Sequence, residues 1–181
     1  GHMDKPQTSF KKFRLGQIRP EGWLKEQLRL EADALMGNLD KIKPSVKYSP
    51  YQTGEGPDAS ALPIWLEAFI CMAWCLDDED LKTRATSHLR AIENNCSVSG
   101  WLKNGDAWAL ICLIRCFDVY LSARDDEQTQ NSLYSALKAL DEYVDVNELT
   151  GKASFRWFEA LPAIKRMYDA TSEEWLAGLA K

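Results

Sequence analysis

The sequence predicts an all-α fold in which residues 20–181 form a single domain of stacked α/α hairpins. Apolar segments of helical pattern begin near three tryptophans that stand 43 and 49 residues apart, Trp65, Trp108 and Trp157. An acidic or polar break follows each apolar segment, and a second helical segment begins after the break. A repeat of about 40 to 50 residues with two helices is typical of hairpin arrays, in which neighbouring units bury each other's apolar faces.

The chain ahead of the repeats is predicted to contain one helix and one loop. Gly1-His2-Met3 is typical of a cleaved tag, and residues 4–19 are interpreted as an N-terminal segment. Pro20 suits a first-turn position, and apolar residues at helical spacing lead from it to Gly37-Asn38, which suits a helix C-terminus. Residues 40–56 have neither helical nor strand periodicity, so we interpret them as a long loop.

Each repeat is predicted to place its apolar helix in an inner layer and its amphipathic helix in an outer, solvated layer. The first two outer helices are expected over residues 81–92 and 133–144. Acidic residues precede them, in 77–80 and 125–127, where the helix dipole favours negative charge. We therefore interpret these acidic turns as helix caps rather than as metal ligands.

Composition and charge argue against several classes of function. The formal net charge is −5, and acidic and basic residues are interspersed, which argues against a nucleic-acid partner. No apolar run in the sequence is long enough to cross a bilayer, so no membrane contact is expected. Most of the five cysteines stand within apolar helical patterns, which favours a reducing compartment, and we expect a cytoplasmic protein.

Several short motifs, taken in order, are similar to those of a known family. Residues 15–24 (LGQIRPEGWL) are followed by Trp65-Leu66-Glu67-Ala68, Gly100-Trp101-Leu102, Asp106-Ala107-Trp108 and Arg156-Trp157-Phe158-Glu159. Each motif is common by itself. Their order and spacing together resemble the start of the β-L-arabinofuranosidase-like glycoside hydrolases, the family 127 kind, over nearly the whole chain.

The resemblance implies a six-hairpin (α/α)6 barrel, of which this chain supplies about half. In that family a zinc-bound cysteine nucleophile and a glutamate acid/base perform catalysis, and both come from later hairpins. The resemblance therefore implies no catalytic residue and no cofactor in this chain, with zinc possible in a full-length parent. Better-known members carry histidine at the positions of Trp108 and Trp157, which implies a different subgroup with another sugar specificity.

Aromatic rings and charged side chains near the predicted inner face are candidates for contact with a sugar: Trp65, Glu67, Asp106, Trp108, Arg156, Trp157 and Glu159. The tryptophans stand near the N-terminal ends of the inner helices, where a flat ring can stack on a sugar. Packing between hairpins is the alternative for each of them. The carboxylates can bind sugar hydroxyls, or they can pair with Arg156 and Arg115.

The cysteines and histidines predict no metal site. Two pairs stand four residues apart on consecutive inner helices, Cys71 with Cys75 and Cys112 with Cys116. That spacing permits zinc, but thiols among aliphatic side chains more often pack as small hydrophobic groups. Cys96 falls in a predicted loop and is expected to be the exposed thiol. His88 is the only histidine outside the tag, which leaves no triad and no histidine-ligated metal.

Two functional hypotheses follow. In the first, the chain is the N-terminal part of a glycoside hydrolase acting on plant-type or other glycans, contributes sugar-binding wall, and is inactive alone. In the alternative, it is a non-catalytic helical-hairpin module that binds a protein or a saccharide. A half-barrel would expose apolar helix edges, which predicts a homo-oligomer or association with the missing part of the barrel.

Overall fold

The computed structural model describes residues 20–37, 44–52, 56 and 58–181, and this part of the chain is helical with no β-strand. The all-α class is therefore confirmed. The tag remnant, residues 4–19 and the first residues of the family resemblance, 15–19, lie outside the described residues. Among the helices that are described, none combines the length and apolar character needed to cross a membrane.

The helices begin and end close to the predicted signals, with some extensions. They are α1 (Trp23–Gly37), α2 (Pro44–Lys47), α3 (Ala61–Cys75), α4 (Glu79–Ser99), α5 (Ala107–Ala123), α6 (Glu127–Val146), α7 (Lys152–Arg156), a 3-10 helix (Trp157–Ala160), α8 (Leu161–Thr171) and α9 (Glu174–Leu179).

Helix α5 lies at the centre of the domain. It packs against α3 on one flank and against the 3-10 helix and α8 on the other, while α6 also packs along it. Between Ala107 and Leu121, only Arg115 and Val119 escape burial. Helices α3, α5 and α8 pack in one row, called here the inner layer, and α4 and α6, called here the outer helices, pack against it and contact each other.

Aspartates cap the three helices that follow acidic or polar turns. Asp78, Asp106 and Asp126 each accept a hydrogen bond from the backbone N–H three residues on, at 2.9 to 3.0 Å. A side-chain oxygen at this position satisfies one of the N–H groups that a helix start leaves unpaired. The interpretation of the acidic turns as caps is confirmed for Asp78 and Asp126.

The segment predicted as a loop, residues 40–56, is partly helical, so that prediction was wrong in part. Its described portion contains α2, and Tyr51 is fully buried. The side-chain amide of Asn95, on α4, donates to the Tyr51 carbonyl oxygen at 3.0 Å. This hydrogen bond holds the segment against the outer layer. The periodicity of a sequence does not predict such a long-range contact. Residues 40–43 and 53–55 lie outside the described residues.

The prediction of an exposed Cys96 was wrong. Helix α4 continues to Ser99, seven residues beyond the predicted end, and Cys96 is 1% exposed. Burial raises the pKa of this thiol to about 11. The helix ends at Gly100, whose φ of 95° is disfavoured for residues with a side chain.

A buried polar network joins the two outer helices. Arg90 on α4 donates to Glu93 at 3.0 Å, to the Thr129 hydroxyl at 3.2 Å, and to Asp126. The Thr129 hydroxyl in turn donates to Glu93 at 2.7 Å. Since Glu93 is 2% exposed, burial raises the pKa of its carboxyl group against the lowering effect of these hydrogen bonds.

Candidate functional site

Three charged side chains from different elements meet on the inner layer around Arg115, in the middle of α5. The Arg115 guanidinium donates from Nη2 to both carboxylate oxygens of Glu67, on α3, at 3.1 and 3.2 Å. Its Nη1 donates to Glu159 Oε1, in the 3-10 helix, at 2.9 Å. One guanidinium therefore holds two of the predicted site carboxylates, Glu67 and Glu159, in a fixed relation.

Arg156 adds a second cation to this group. Its Nη2 donates to Glu159 Oε1 at 2.9 Å, and its Nε lies 2.9 Å from Oε2. Glu67, Arg115, Arg156 and Glu159 are called here the Arg115 cluster. Ion pairing with arginine was one of the two alternatives that the sequence left open for these carboxylates. In the structure Glu67 pairs with Arg115, and Glu159 pairs with both Arg115 and Arg156.

The Arg115 cluster remains accessible to solvent. The side chains of Glu67 and Glu159 are 20% and 19% exposed, and those of Arg115 and Arg156 are 31% and 46% exposed. Its formal charges cancel, yet it offers both N–H donors and carboxylate acceptors. Such a mixture can bind a polyhydroxylated ligand, because each sugar hydroxyl both donates and accepts hydrogen bonds.

Trp108 lies next to the cluster but offers little open surface. The Arg156 guanidinium stacks over its ring at 4.6 Å from the centroid, and the side chain is only 9% exposed. A cation over the indole face interacts favourably with the ring electrons. A sugar would have to displace Arg156 before it could stack on that face of Trp108.

Trp65 has a packing role. It is 7% exposed, stacks on Phe69 at 5.3 Å between ring centroids, and meets the edge of the His88 ring at 5.2 Å. Burial lowers the pKa of His88. This is the alternative that the sequence left open for Trp65, because Phe69 and His88 cover its ring.

Trp157 occupies an environment that its repeat position did not predict. It was expected near the start of an inner α-helix. In the structure a short helix, α7, begins earlier, at Lys152, and Trp157 follows it as the first residue of the 3-10 helix. It lines a cleft between α6 and the segment from α7 to α9, which is called here the third hairpin. No residue of the Arg115 cluster lines that cleft, so Trp157 and Glu159 serve different surfaces.

Asp106 is the N-terminal cap of α5, where its Oδ1 accepts from the Ala109 N–H at 3.0 Å. We expect Asp106→Ala to lower the free energy of unfolding by about 1 kcal/mol, since the N–H loses its partner. Asp106→Asn should stay close to the parent, because asparagine caps as well as aspartate. Urea denaturation measures both, and an equal loss in the two variants would refute the capping role.

Burial disfavours the thiolate form of three inner-layer cysteines, Cys71, Cys112 and Cys116. Burial raises the pKa of Cys71 to about 11 and that of Cys112 to about 12, and it raises the pKa of fully buried Cys116 well above its ordinary value. A thiol must lose its proton to act as a nucleophile or a zinc ligand. Over the described ranges, no group of three or more potential ligand side chains is arranged to hold a metal ion. The zinc centre that the resemblance implies belongs to later hairpins, so we assign no metal chemistry to these cysteines.

Arg115 is the functional candidate that sequence reasoning underrated, since it was considered only as a partner for carboxylates. A signal was present: Arg115 is the one basic residue in the run ALICLIRCFDVYL, in which Asp118 is the one other charged residue. A charged side chain in an inner helix is rarely tolerated without partners. That pattern could have marked Arg115 as the centre of a cluster.

Comparisons with known proteins return no match. No family model, no curated protein and no solved structure matches the chain.

Proposed function

We propose that this chain forms part of the sugar-binding wall of a glycoside hydrolase barrel of the β-L-arabinofuranosidase-like kind. The observation that carries the proposal is the Arg115 cluster, in which two carboxylates and two guanidinium groups meet, partly exposed, on the inner layer. Its role is to bind and orient sugar hydroxyls. The catalytic groups come from other hairpins of the same barrel.

The order of helices supports a partial barrel. Helices α3, α5 and α8 lie side by side, and each is followed by a helix that packs against it, α4, α6 and α9. Stacking continues in such arrays until the ring closes or a polar cap ends it. Helices α8 and α9 alone form an apolar hollow of about 440 Å³, lined by Leu161, Pro162, Tyr168, Leu176 and Ala180 among others. In our proposal a fourth hairpin covers this hollow.

The experiment is hydrolysis of a panel of aryl glycosides, β-L-arabinofuranoside included, with and without added zinc. It compares this chain with the longest gene product that contains it. We expect activity in the longer protein alone. Activity in the short chain would overturn the assignment of catalysis to other hairpins, and activity in neither would favour the binding-module alternative.

The role of the cluster is tested with Glu67→Gln in the longer protein. A hydrogen bond to a charged group is worth about 1.5 to 3 kcal/mol, so we expect KM for the best glycoside to rise roughly tenfold or more. Glu142→Gln, on outer helix α6, is the matched control and should leave KM unchanged. A KM unaffected by Glu67→Gln would remove the cluster from the sugar site.

A further inference from the structure

A cleft of about 750 Å³ separates α6 from the third hairpin. Its apolar side chains include Leu140, Val144, Leu149 and Ile164, and the rings of Trp157 and Trp175 lie among them. The volume is in the range of pockets that enclose small organic ligands. Of the sugar-contact candidates from the sequence only Trp157 lines it, and no residue of the Arg115 cluster does.

The rim of this cleft is acidic. Asp141 and Asp145 stand one helical turn apart on α6, and Glu148 follows in the loop after the helix. Lys181 is the one cation among the lining residues that the structure describes. The rim therefore carries a net negative charge beside a largely apolar interior. Burial, together with neighbouring Asp145, raises the pKa of Asp141, while nearby Lys138 partly offsets that rise.

The indole of Trp175 already interacts with a cation of the protein itself, Lys138, which lines a neighbouring hollow rather than this cleft. The Lys138 ammonium lies 4.3 Å from the centroid of the Trp175 ring, and the edge of that ring meets Tyr134. Indole faces attract ammonium groups more strongly where water is partly excluded. Trp157, on the opposite side of the cleft from α6, offers a second indole within the same cavity.

We propose that this cleft is a binding site for a small organic cation with an apolar body, of the arylalkylammonium class. The hydrocarbon portion packs on the leucine, valine and tryptophan side chains, and the ammonium group lies at the rim formed by Asp141, Asp145 and Glu148. Charge complementarity decides the occupant: a neutral ligand leaves the carboxylates uncompensated, and an anionic ligand is repelled. The site is separate from the proposed sugar contacts, and either can fail without the other.

The test compares three probes of similar shape: 2-phenylethylammonium, 2-phenylethanol and phenylacetate. Binding to the full chain is followed by NMR through the indole N–H signals of Trp157 and Trp175, assigned with Trp→Phe variants. For so small a probe we expect a dissociation constant on the order of millimolar for the ammonium ion. The alcohol should bind about tenfold more weakly, and phenylacetate should give no shift.

Two variants on α6 locate the interaction. Asp141→Asn with Asp145→Asn should weaken ammonium binding about tenfold while leaving the alcohol unchanged. Glu142→Gln removes the same type of charge from a neighbouring residue that lines a different surface, and it should have little effect. Equal binding of ammonium and alcohol would overturn the proposal. So would shifts that spare both indoles, or an ammonium affinity that survives the double substitution.

Discussion

We expect Arg90→Met to lower the free energy of unfolding by about 3 kcal/mol, among the largest effects of any single polar substitution here. Arg90 is the shared donor to Glu93 and Asp126, and Glu93 is 2% exposed. Removing the cation leaves a carboxyl group buried beside α6 without its counter-ion. We place the loss at the low end for buried pairs, because the Arg90 side chain is itself 29% exposed. Urea denaturation at neutral pH gives the measurement.

The pH dependence of this stability loss shows whether the unpaired carboxyl groups cause it. Burial raises the pKa of Glu93 in the folded protein, and it should raise it further without Arg90, so the folded variant binds more protons than the unfolded chain. Stability of the variant therefore falls as pH rises from the ordinary carboxyl range through the folded pKa. Asp126 contributes to the same pH dependence. Desolvation opposes its ionisation, but the Arg90 hydrogen bond lowers its pKa in the parent, and the variant loses that hydrogen bond.

The deficit of Arg90→Met should accordingly be largest at neutral pH and should shrink towards pH 4, within the ordinary carboxyl range of about 3.9 to 4.3. Adding Glu93→Gln should restore part of the stability at neutral pH, since a neutral amide needs no counter-ion and its oxygen can still accept from Thr129. A deficit that is constant from pH 4 to 8 would show that Arg90 contributes by packing alone.

Phe117→Ala is expected to cost about 3 to 5 kcal/mol, because it empties a position at the centre of the domain. Phe117 is fully buried on α5 and meets the edge of Trp101 at 5.8 Å between ring centroids. The neighbouring elements contact α5 on several flanks and cannot all collapse into the vacated volume. We expect a lower urea midpoint with an unchanged slope.

The matched control is Phe155→Ala. This ring is 75% exposed on α7, so its removal should change the unfolding free energy by less than about 0.5 kcal/mol. A loss at Phe155 comparable with that at Phe117 would mean that α7 is covered in solution by a second surface. That result would favour the predicted homo-oligomer, and sedimentation of the parent would then decide it.

Local signals carried most of the correct predictions. The aspartates before α4 and α6 have to lie at those helix starts, because capping depends only on residues three positions apart. The apolar runs around Trp65 and Trp108 likewise mark inner helices, since only a buried helix tolerates apolar residues on nearly every face.

What sequence reasoning missed depends on tertiary contacts. The polar neighbours Asn95 and Ser97 predict that Cys96 lies in a loop. In the structure α4 continues past Cys96, because packing against the rest of the domain extends the helix. Trp65, Trp108 and Trp157 look equivalent in the repeat, but one packs on His88, one lies under Arg156 and one lines the acidic cleft. Equal spacing in sequence does not give equal surroundings, because the surroundings are set by whichever element packs across from each ring.

The 3-10 helix before α8 determines the rotation of α8 about its own axis. A 3-10 residue advances the chain by about 120° around the axis, against about 100° in an α-helix. Over Trp157–Ala160 the difference sums to roughly 80°, and the rise grows by about 2 Å. If these four residues became α-helical, α8 would turn by that angle relative to Trp157, where the 3-10 helix begins. Arg166 would swing away from Asp118, which it now meets at 2.6 Å, so these four residues set which face of α8 the inner layer receives.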